Sequence, residues 1–249
     1  MRLDQLVLER GLAATRSQAQ ALLLAGRVRV GAGDAMRTDR KAGDLVDSAT
    51  ALDLVARAPF VSRGGEKLAA ALDAFGVDPA GRVCLDVGAS TGGFTDCLLQ
   101  RGATRVYALD VGRGQLAESL RADPRVVSLE RTHARRLDPE DPQAIALPEQ
   151  PRLAALDVSF ISLTRVLRGV VAWLAPGGDV LALVKPQFES TPREVPGGVV
   201  RDPAVQRAAV ARVRANAEEL GLLFQGETES PLVGPAGNHE FFLHFTRPA

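Results

Sequence analysis

The feature that most constrains the fold is a regular alternation of strand-like and helix-like segments, which begins near residue 82. Short runs rich in valine, leucine and alanine, typical of buried strands, lie at residues 82–87, 105–111, 125–129, 153–158 and 179–184. Three helical patterns and then two apolar runs occupy residues 94–101, 163–174, 204–221, 222–225 and 240–245. Strands that alternate with helices form a mostly parallel sheet covered on both faces. The sequence therefore predicts an α/β fold.

A smaller module with a different pattern precedes this region and extends to about residue 55. One short helix is predicted over residues 3–10, and a second begins with the capping-box spacing Thr15-Arg16-Ser17-Gln18. Residues 27–30 alternate arginine and valine like a half-exposed strand. Up to Lys41 the module holds eight basic and four acidic residues. A solvated helical hairpin and a small RNA-binding unit explain this charge equally well.

Bulk properties exclude several classes of protein. The start, Met1–Gln5, leads into a charged helix and not into a signal peptide, and no apolar run approaches the length of a membrane span. Cys84 and Cys97 lack metal-ligand spacing and are typical of buried thiols in a reducing compartment. Because 30 basic residues balance 30 acidic ones, RNA binding would require local patches. We expect a cytoplasmic protein without a metal site or a membrane partner.

Lysine is scarce, since 27 of the 30 basic residues are arginines and the only lysines are Lys41, Lys67 and Lys185. Arginine serves wherever a fixed charge is sufficient, but it cannot replace an amine that must release a proton. Lys67 lies in the motif SRGGEKL and Lys185 in VKPQFE. The composition therefore marks these two as candidate functional amines, with chance placement as the alternative.

A glycine-rich loop, DVGASTGGF at residues 86–94, follows the first strand and opens a helix. Glycines there permit a tight turn and a close approach of a ligand to the backbone. Asp110 ends the next strand, where an acidic residue can accept both ribose hydroxyls of an adenosine. The loop has neither the dinucleotide spacing nor the lysine of a P-loop, which favours S-adenosylmethionine as the cofactor. The predicted cofactor-binding residues are Asp86, Gly88, Ala89, Ser90, Thr91, Gly92, Gly93, Phe94, Asp110, Val111 and Asp157.

Three further charged residues lie where strands end or begin. Asp157 ends the fourth strand, in LDVSFISL, and Lys185 ends the fifth. Ligands of open parallel sheets bind at the carboxyl ends of the strands, so Asp157 and Lys185 should converge beside the cofactor. Glu240, in the motif GNHE, precedes the last strand and supplies another carboxylate. A surface ion pair or a helix cap remains the alternative for each residue taken singly.

These motifs occur together and in order, and the chain resembles the TlyA family. The resemblance rests on the start Arg2-Leu3-Asp4, on SRGGEKL, DVGASTGGFTD, ALDVGRGQL, LDVSFISL, LVKPQFE and GNHEFF, on GGVV at residues 197–200, and on SPLVGP at residues 230–235. TlyA proteins are bacterial S4-domain methyltransferases, also labelled haemolysin A-like, that methylate ribose 2′-hydroxyls in ribosomal RNA. The implied substrate is a cytidine of 16S or 23S ribosomal RNA, as free RNA or in ribosomal subunits.

The resemblance also implies an architecture. We expect a Rossmann-like, S-adenosylmethionine-dependent methyltransferase domain with a doubly wound, mostly parallel seven-stranded sheet, preceded by a small α+β S4-like RNA-binding domain. The S4-like domain would span residues 1–57 and the FtsJ-like catalytic domain residues 63–249. Residues 58–62 would link them, because Pro59 interrupts regular structure between the two regions.

Site residues are implied as well. The Lys-Asp-Lys-Glu tetrad of FtsJ-like ribose methyltransferases corresponds here to Lys67, Asp157, Lys185 and Glu240. Lys185 would be the general base, Lys67 would hold the hydroxyl oxygen, and the two carboxylates would position the amines. The residues expected to contact RNA are Arg2, Arg16, Arg27, Arg29 and, near the active site, Arg63.

Two positions depart from the family pattern, and several functions stay open. His133 stands where asparagine is expected, and Phe60 where tyrosine or tryptophan is more usual. A methyltransferase for another RNA or for a small molecule, an RNA-binding assembly factor without activity, and a pore-forming protein are the alternatives. The target nucleotide and the oligomeric state do not follow from the sequence.

Overall fold

The computed structural model describes residues 1–24, 26–33, 36–55, 58–234 and 236–249. The backbone packs into two units, Met1–Ala58 and Pro59–Ala249. The domain boundaries expected from the sequence remain predictions. Ala56 and Arg57, beside the predicted linker, lie outside the described residues, as does Pro235 of the motif SPLVGP. No helix within the described segments is long and apolar enough to cross a membrane.

The first unit contains two helices and an antiparallel pair of short strands. These are α1 (Leu3–Glu9), α2 (Arg16–Leu24), β1 (Val28–Val30) and β2 (Leu52–Leu54). The Thr15 hydroxyl accepts the N–H of Gln18 at 3.2 Å, so the predicted cap at the start of α2 is present. A small core joins the helices to β1 and includes Leu3, Val7, Ala19, Leu23, Val28 and Val30.

The second unit contains the remaining seven strands. They are β3 (Val83–Val87), β4 (Arg105–Leu109), β5 (Val126–Leu129), β6 (Leu153–Leu156), β7 (Asp179–Val184), β8 (Leu223–Glu229) and β9 (Phe241–Thr246). The α-helices of this unit are α3 (Gly64–Phe75), α4 (Gly93–Gln100), α5 (Glu118–Arg121), α6 (Leu167–Trp173), α7 (Pro186–Glu189) and α8 (Pro203–Glu219). Short 3₁₀ turns occupy Ala134–Leu137, Leu163–Arg165, Pro192–Glu194 and Pro196–Gly198.

These strands form one sheet in the order β5-β4-β3-β6-β7-β9-β8. Neighbours from β5 to β7 are parallel, whereas β9 runs antiparallel to both β7 and β8. The chain leaves β3 toward β4 on one side and later returns to β6 on the other. Ligands of open α/β sheets bind at such a switch point. The predicted doubly wound, mostly parallel, seven-stranded sheet is confirmed.

Each face of the sheet is covered by its own hydrophobic core. One core includes side chains of α6 and α8, and the other includes side chains of α3, α4 and α5. Side chains alternate along β3, so Leu85 lies in the first core and Cys84 in the second. Cys84 and Cys97 are buried, as predicted, and burial raises the pKa of each thiol to about 12. Both thiols therefore stay protonated near neutral pH.

The short helices α5 and α7 were not predicted, and three other elements differ from the sequence prediction for a clear physical reason. The helix Gly64–Phe75 was not foreseen, because it opens with two glycines, which favour loops over helices. The predicted helix over residues 163–174 is divided at Val166, whose φ of −110° interrupts it. Strand β8 extends to Glu229, beyond its apolar start, because an edge strand can expose its alternate side chains.

A charged cluster links β3, β7 and β9 near the amino ends of the parallel strands. Asp179, at the start of β7, accepts hydrogen bonds from Arg82 at 2.5 Å and from His244 of β9 at 2.8 Å. Arg82 directly precedes β3. Burial opposes ionisation of Asp179, but the hydrogen bonds from His244 and Arg82 outweigh it and lower the pKa of the carboxyl.

We predict that Asp179→Ala lowers the free energy of unfolding by about 1–3 kcal/mol, because His244 and Arg82 lose a buried acceptor. Asp73→Ala is a matched control, since Asp73 is 64% exposed and pairs with Arg101 on the surface. It should cost at most about 1 kcal/mol. Urea unfolding near pH 7 measures both, and equal losses would refute a structural role for the cluster.

Candidate active site

The ends of β3 and β6 approach each other closely. Gly88, directly after β3, has φ +92°, and a Cβ there would lie 2.5 Å from the carbonyl oxygen of Asp157. An L side chain would be both strained and obstructed at this position. Gly88 therefore allows the glycine-rich loop to lie directly against the residue that follows β6.

Glycines also bring α3 against α4. Gly93 begins α4, and a Cβ there would lie 2.8 Å from the backbone nitrogen of Gly65 in α3. The ring of Phe60 occupies the space beside Gly65, where a Cβ would lie 2.6 Å from the ring edge. The first turns of the two helices thus pack backbone against backbone. This packing holds Lys67, two residues after Gly65, beside the loop.

Lys67 and Glu240 form a buried ion pair. The Lys67 Nζ lies 2.5 Å from Glu240 Oε2, and the two side chains are 9% and 2% exposed. Gly234 makes room for the carboxylate, because a Cβ there would lie 2.7 Å from Glu240 Oε1. Each buried charge depends on the other, since a buried charge without a partner is strongly destabilising.

Lys185 and Asp157 form a second pair. The Lys185 Nζ lies 2.7 Å from Asp157 Oδ1 and donates a hydrogen bond to Ser159 Oγ at 2.8 Å. The contact with Asp157 is an ion pair by distance but lacks hydrogen-bond geometry. Asp157 Oδ1 accordingly has no hydrogen-bond donor among the described residues. Lys185 lines the cavity described next, and its amine keeps an N–H group that can contact a ligand.

All four charged residues line one cavity. This first cavity, of about 410 Å³, also includes Arg63 and several residues of the glycine-rich loop. A second cavity, of about 580 Å³, is lined by Asp110, Val111 and His133 among others. Four residues line both cavities, which therefore adjoin and are together called the groove: Gly88, Ser90, Asp157 and Ser159. A third cavity of about 660 Å³, beside α8 and β8, is lined by other residues.

Comparison with known proteins agrees with this geometry. Residues 60–247 match the family model of FtsJ-like methyltransferases, and residues 1–31 match that of the S4 domain. The chain is 49% identical to the 16S/23S rRNA (cytidine-2′-O)-methyltransferase TlyA of Mycobacterium tuberculosis, over 97% of this chain and 88% of that protein. The chain belongs to the TlyA family of FtsJ-like methyltransferases. Hemolysin A of Brachyspira hyodysenteriae is 39% identical to it, over 98% of this chain and 99% of that protein.

Solved structures show the same architecture. A Streptococcus thermophilus structure that carries a hemolysin label is 40% identical, with a TM-score of 0.74, and the match covers 100% of this chain and 88% of that chain. The N-methyltransferase NodS of Bradyrhizobium japonicum, in complex with S-adenosyl-L-homocysteine, is only 16% identical. It has a TM-score of 0.52 and covers 75% of this chain and 86% of its own. NodS therefore supports the methyltransferase fold alone.

As a TlyA-family methyltransferase, the protein takes its methyl group from S-adenosylmethionine. The second cavity offers groups that fit this cofactor. Asp110 Oδ2 accepts the N–H of Ser90 at 2.8 Å, and its Oδ1 accepts that of Gly112 at 2.6 Å. These two bonds hold the carboxylate at the cavity wall, and its other lone pairs can accept ribose hydroxyls. The placement supports the predicted role of Asp110, which remains a prediction.

Two of the predicted cofactor-binding residues, Asp86 and Gly92, lie beneath the cavity walls and do not line either cavity. Asp86 is fully buried and accepts a hydrogen bond from the Thr95 hydroxyl at 2.6 Å. Its burial raises the pKa of the carboxyl to about 7. Gly92, with φ +99°, leaves no room for a Cβ because Leu116 lies 2.7 Å from that point. Neither residue is among the described residues that line the two cavities. The structure indicates that they shape the loop from behind.

His133, the departure from the family pattern, lines the second cavity. Its Nδ1 accepts the backbone N–H of Arg135 at 3.3 Å and so caps the 3₁₀ turn Ala134–Leu137. Asparagine, the residue expected here, caps helices in the same way with its side-chain oxygen. The substitution therefore keeps the local fold and changes the shape of the cavity wall.

Phe160 is a feature that the sequence prediction missed. Its ring is 91% exposed at the wall of the second cavity, and its backbone has φ +63°. A positive φ is strained for a bulky residue, and such strain is concentrated at functional sites. The ring contacts Phe188, with 5.1 Å between the ring centroids. Exposed aromatic rings beside a nucleic-acid site are surfaces on which bases stack. The signal available in the sequence was weak, a phenylalanine four residues after the end of β6.

Three of the four arginines predicted to bind RNA in the first unit donate hydrogen bonds within the protein. Arg2 and Arg16 each donate to the buried carboxylate of Asp4, and these bonds help to lower its pKa. Arg27 donates to a backbone carbonyl at 2.9 Å. Arg29 is exposed on β1, opposite Asp53 in the register of the strands. In the second unit, Arg63 lines the first cavity, and its contact with RNA stays a prediction.

We predict that Gly88→Ala abolishes measurable binding of S-adenosylmethionine at micromolar concentrations, because the new Cβ would push the loop away from Asp157. Gly81→Ala is the control, since Gly81 has φ +72° but no atom within 4 Å of a Cβ. It carries the same backbone strain without the obstruction. Isothermal titration calorimetry should show near-normal binding for the control alone. Equal affinities for the two variants would contradict the prediction.

Proposed function

We propose that this protein transfers a methyl group from S-adenosylmethionine to ribose 2′-hydroxyls of ribosomal RNA. One observation carries the proposal: two acid–amine pairs line a cavity that adjoins the cavity lined by Asp110. A ribose hydroxyl is a weak nucleophile and needs a base, and an aligned amine supplies one. The relative from Mycobacterium tuberculosis supports cytidine as the nucleoside.

Lys185 is the proposed general base. Its contacts Asp157 and Ser159 line both cavities, so its amine lies where the substrate and cofactor sites meet. When bound, S-adenosylmethionine supplies an electrophilic methyl group with a positive charge. A positive charge beside Lys185 disfavours a second one and helps the amine to release its proton. The neutral amine then accepts the proton of the 2′-hydroxyl.

Lys67 is proposed to remain charged. Its amine is held by Glu240 in the interior and lines the same cavity, so it can donate to the hydroxyl oxygen as negative charge develops there. Asp157 and Glu240 each hold one amine in place. The pair of Lys185 and Asp157 thus serves proton removal, and the pair of Lys67 and Glu240 serves charge stabilisation.

The first unit is proposed to bind the RNA, in agreement with its match to the S4 domain. Arg2 and Arg16 keep guanidinium N–H groups beyond those that Asp4 accepts, and these can donate to phosphates. In the second unit, Arg63 is proposed to contact RNA at the first cavity. A ribosomal RNA substrate also implies the cytoplasm, where ribosomal subunits are found.

We predict that Lys185→Arg and Lys185→Ala both lower kcat for methyl transfer by about 100- to 10,000-fold. Arginine keeps the positive charge but cannot release a proton at neutral pH. Transfer of tritiated methyl groups to ribosomal subunits that lack the modification measures the rate. Calorimetry with S-adenosylmethionine checks that the cofactor still binds.

Lys41→Arg is the matched control, because Lys41 is an exposed lysine of the first unit. It should leave kcat unchanged. Near-normal turnover by Lys185→Arg would exclude Lys185 as the base, even if Lys185→Ala were inactive.

We also predict that Arg29→Ala weakens RNA binding. The slope of log K, the logarithm of the association constant, against the logarithm of salt concentration should become smaller in magnitude by about one. Arg29 is exposed on β1, and among the residues that the structure describes no carboxylate forms an ion pair with it. Arg101→Ala, which removes an arginine paired with Asp73, is the control and should leave the slope unchanged. Fluorescence anisotropy at several salt concentrations measures both, and identical slopes would count against Arg29.

A further inference from the structure

The motif VKPQFE contains a buried carboxylate that the proposed reaction does not use. Glu189, the last residue of α7, lies four residues after Lys185 and is only 6% exposed. Burial raises the pKa of its carboxyl. A buried carboxylate costs free energy, so its hydrogen bonds must offset that cost.

Its carboxylate is fully engaged by one short segment. Glu189 Oε1 accepts the backbone N–H of Leu163 at 2.7 Å, and Oε2 accepts the hydroxyl of Ser162 at 2.6 Å. The Ser162 Oγ also accepts the N–H of Thr164 and so caps the 3₁₀ turn Leu163–Arg165. The guanidinium of Arg212 in α8 donates to the backbone carbonyl of Glu189 and anchors it from the other side.

These bonds join the two segments that carry the second acid–amine pair. The hydrogen-bonded pairing of β6 with β7 ends at Leu156 and Ala182. Asp157 and Lys185 lie beyond that point. Past that point side-chain contacts join the two segments, although the N–H of Asp157 still donates to the carbonyl of Val87 in β3.

Three residues after β7 make side-chain contacts with the segment after β6. Lys185 reaches Asp157 and Ser159, the rings of Phe160 and Phe188 touch, and Glu189 binds Ser162 and Leu163. Among these, the Glu189 contact is the most buried, and it includes a backbone N–H. The other two are at the groove, where substrate would contact them.

We propose that Glu189 is a positioning residue, which holds the segment after β7 against the segment after β6 and thereby sets the place of the Lys185 amine beside Asp157 and Ser159. The inference rests on the proposed function of Lys185. It adds a role for a residue outside the tetrad, one that lines neither of the two cavities.

The chemistry of the contact distinguishes two substitutions. In Glu189→Gln, the amide oxygen can accept the Leu163 N–H, and the amide nitrogen can donate to Ser162 Oγ. The Ser162 hydroxyl proton can then turn to Thr164 Oγ1, which lies 2.7 Å away. Glu189→Ala removes both bonds. The conservative variant should therefore preserve the position of Lys185, and the alanine variant should not.

Methyl transfer to ribosomal subunits supplies the first test. We expect Glu189→Ala to lower kcat by about 10- to 100-fold, with little change in KM for RNA or in affinity for S-adenosylmethionine, because a small misplacement of the base slows the chemical step. Glu189→Gln should retain near wild-type kcat. Glu194→Ala is the matched control, since that exposed glutamate only caps the neighbouring turn Pro192–Glu194.

The three lysines allow a second test that does not depend on activity. With lysine labelled with ¹³C at Cε, the NMR spectrum should contain three lysine signals, and the one lost in Lys185→Arg belongs to Lys185. Glu189→Ala should shift the Lys185 signal, whereas Glu189→Gln should leave it in place. The Lys41 signal, from the first unit, serves as the internal reference.

The outcomes separate the two proposals. A wild-type protein that methylates no ribose 2′-hydroxyl refutes the proposed function, and the lysine spectra still test the positioning. If the wild type is active, then normal kcat and an unmoved Lys185 signal in Glu189→Ala overturn the inference. Lower thermal stability of Glu189→Ala with unchanged kcat would also overturn it, as would a Glu189→Gln variant as slow as Glu189→Ala.

Discussion

The close approach of Gly88 to the carbonyl of Asp157 is the constraint on which the site depends. It brings the ends of two adjacent parallel strands together, so that the glycine-rich loop and the second acid–amine pair share one groove. The neighbouring strand β7 then places Lys185 beside Asp157. A side chain at position 88 would separate the loop from that pair. The absence of a single Cβ thus links cofactor binding to the proposed chemistry.

Buried charges at two places in the second unit each have a partner. Lys67 pairs with Glu240 in the interior, and Asp179 binds Arg82 and His244 near the amino ends of the parallel strands. In each case a buried charge is retained because a partner of opposite charge or a hydrogen-bond donor compensates for lost hydration. The environments differ, however. The pair of Lys67 and Glu240 lies at the carboxyl ends of the strands and lines a cavity. The cluster around Asp179 links neighbouring strands.

Much of this could be predicted because it depends on local pattern and on a general rule. The alternation of strands and helices predicted the sheet, and the rule that ligands bind at carboxyl ends brought Asp157 and Lys185 together. The helix Gly64–Phe75 was missed, since its stability comes from packing against α4 and not from helix-forming residues at its start. Phe160 was missed because its left-handed backbone and its exposure depend on the fold and cannot be read from the residue type.

The sequence by itself determined the fold class, the family and the identity of the four charged residues. Periodicity, motif order and the scarcity of lysine are all properties of the chain read in one dimension. Only the tertiary structure decided how those residues pair, that Asp86 and Gly92 lie behind the groove, and that Glu189 crosses from one strand end to the other. The physical reason is that pairing, burial and strain depend on distances between segments far apart in the chain, and the pattern within any one segment does not contain those distances.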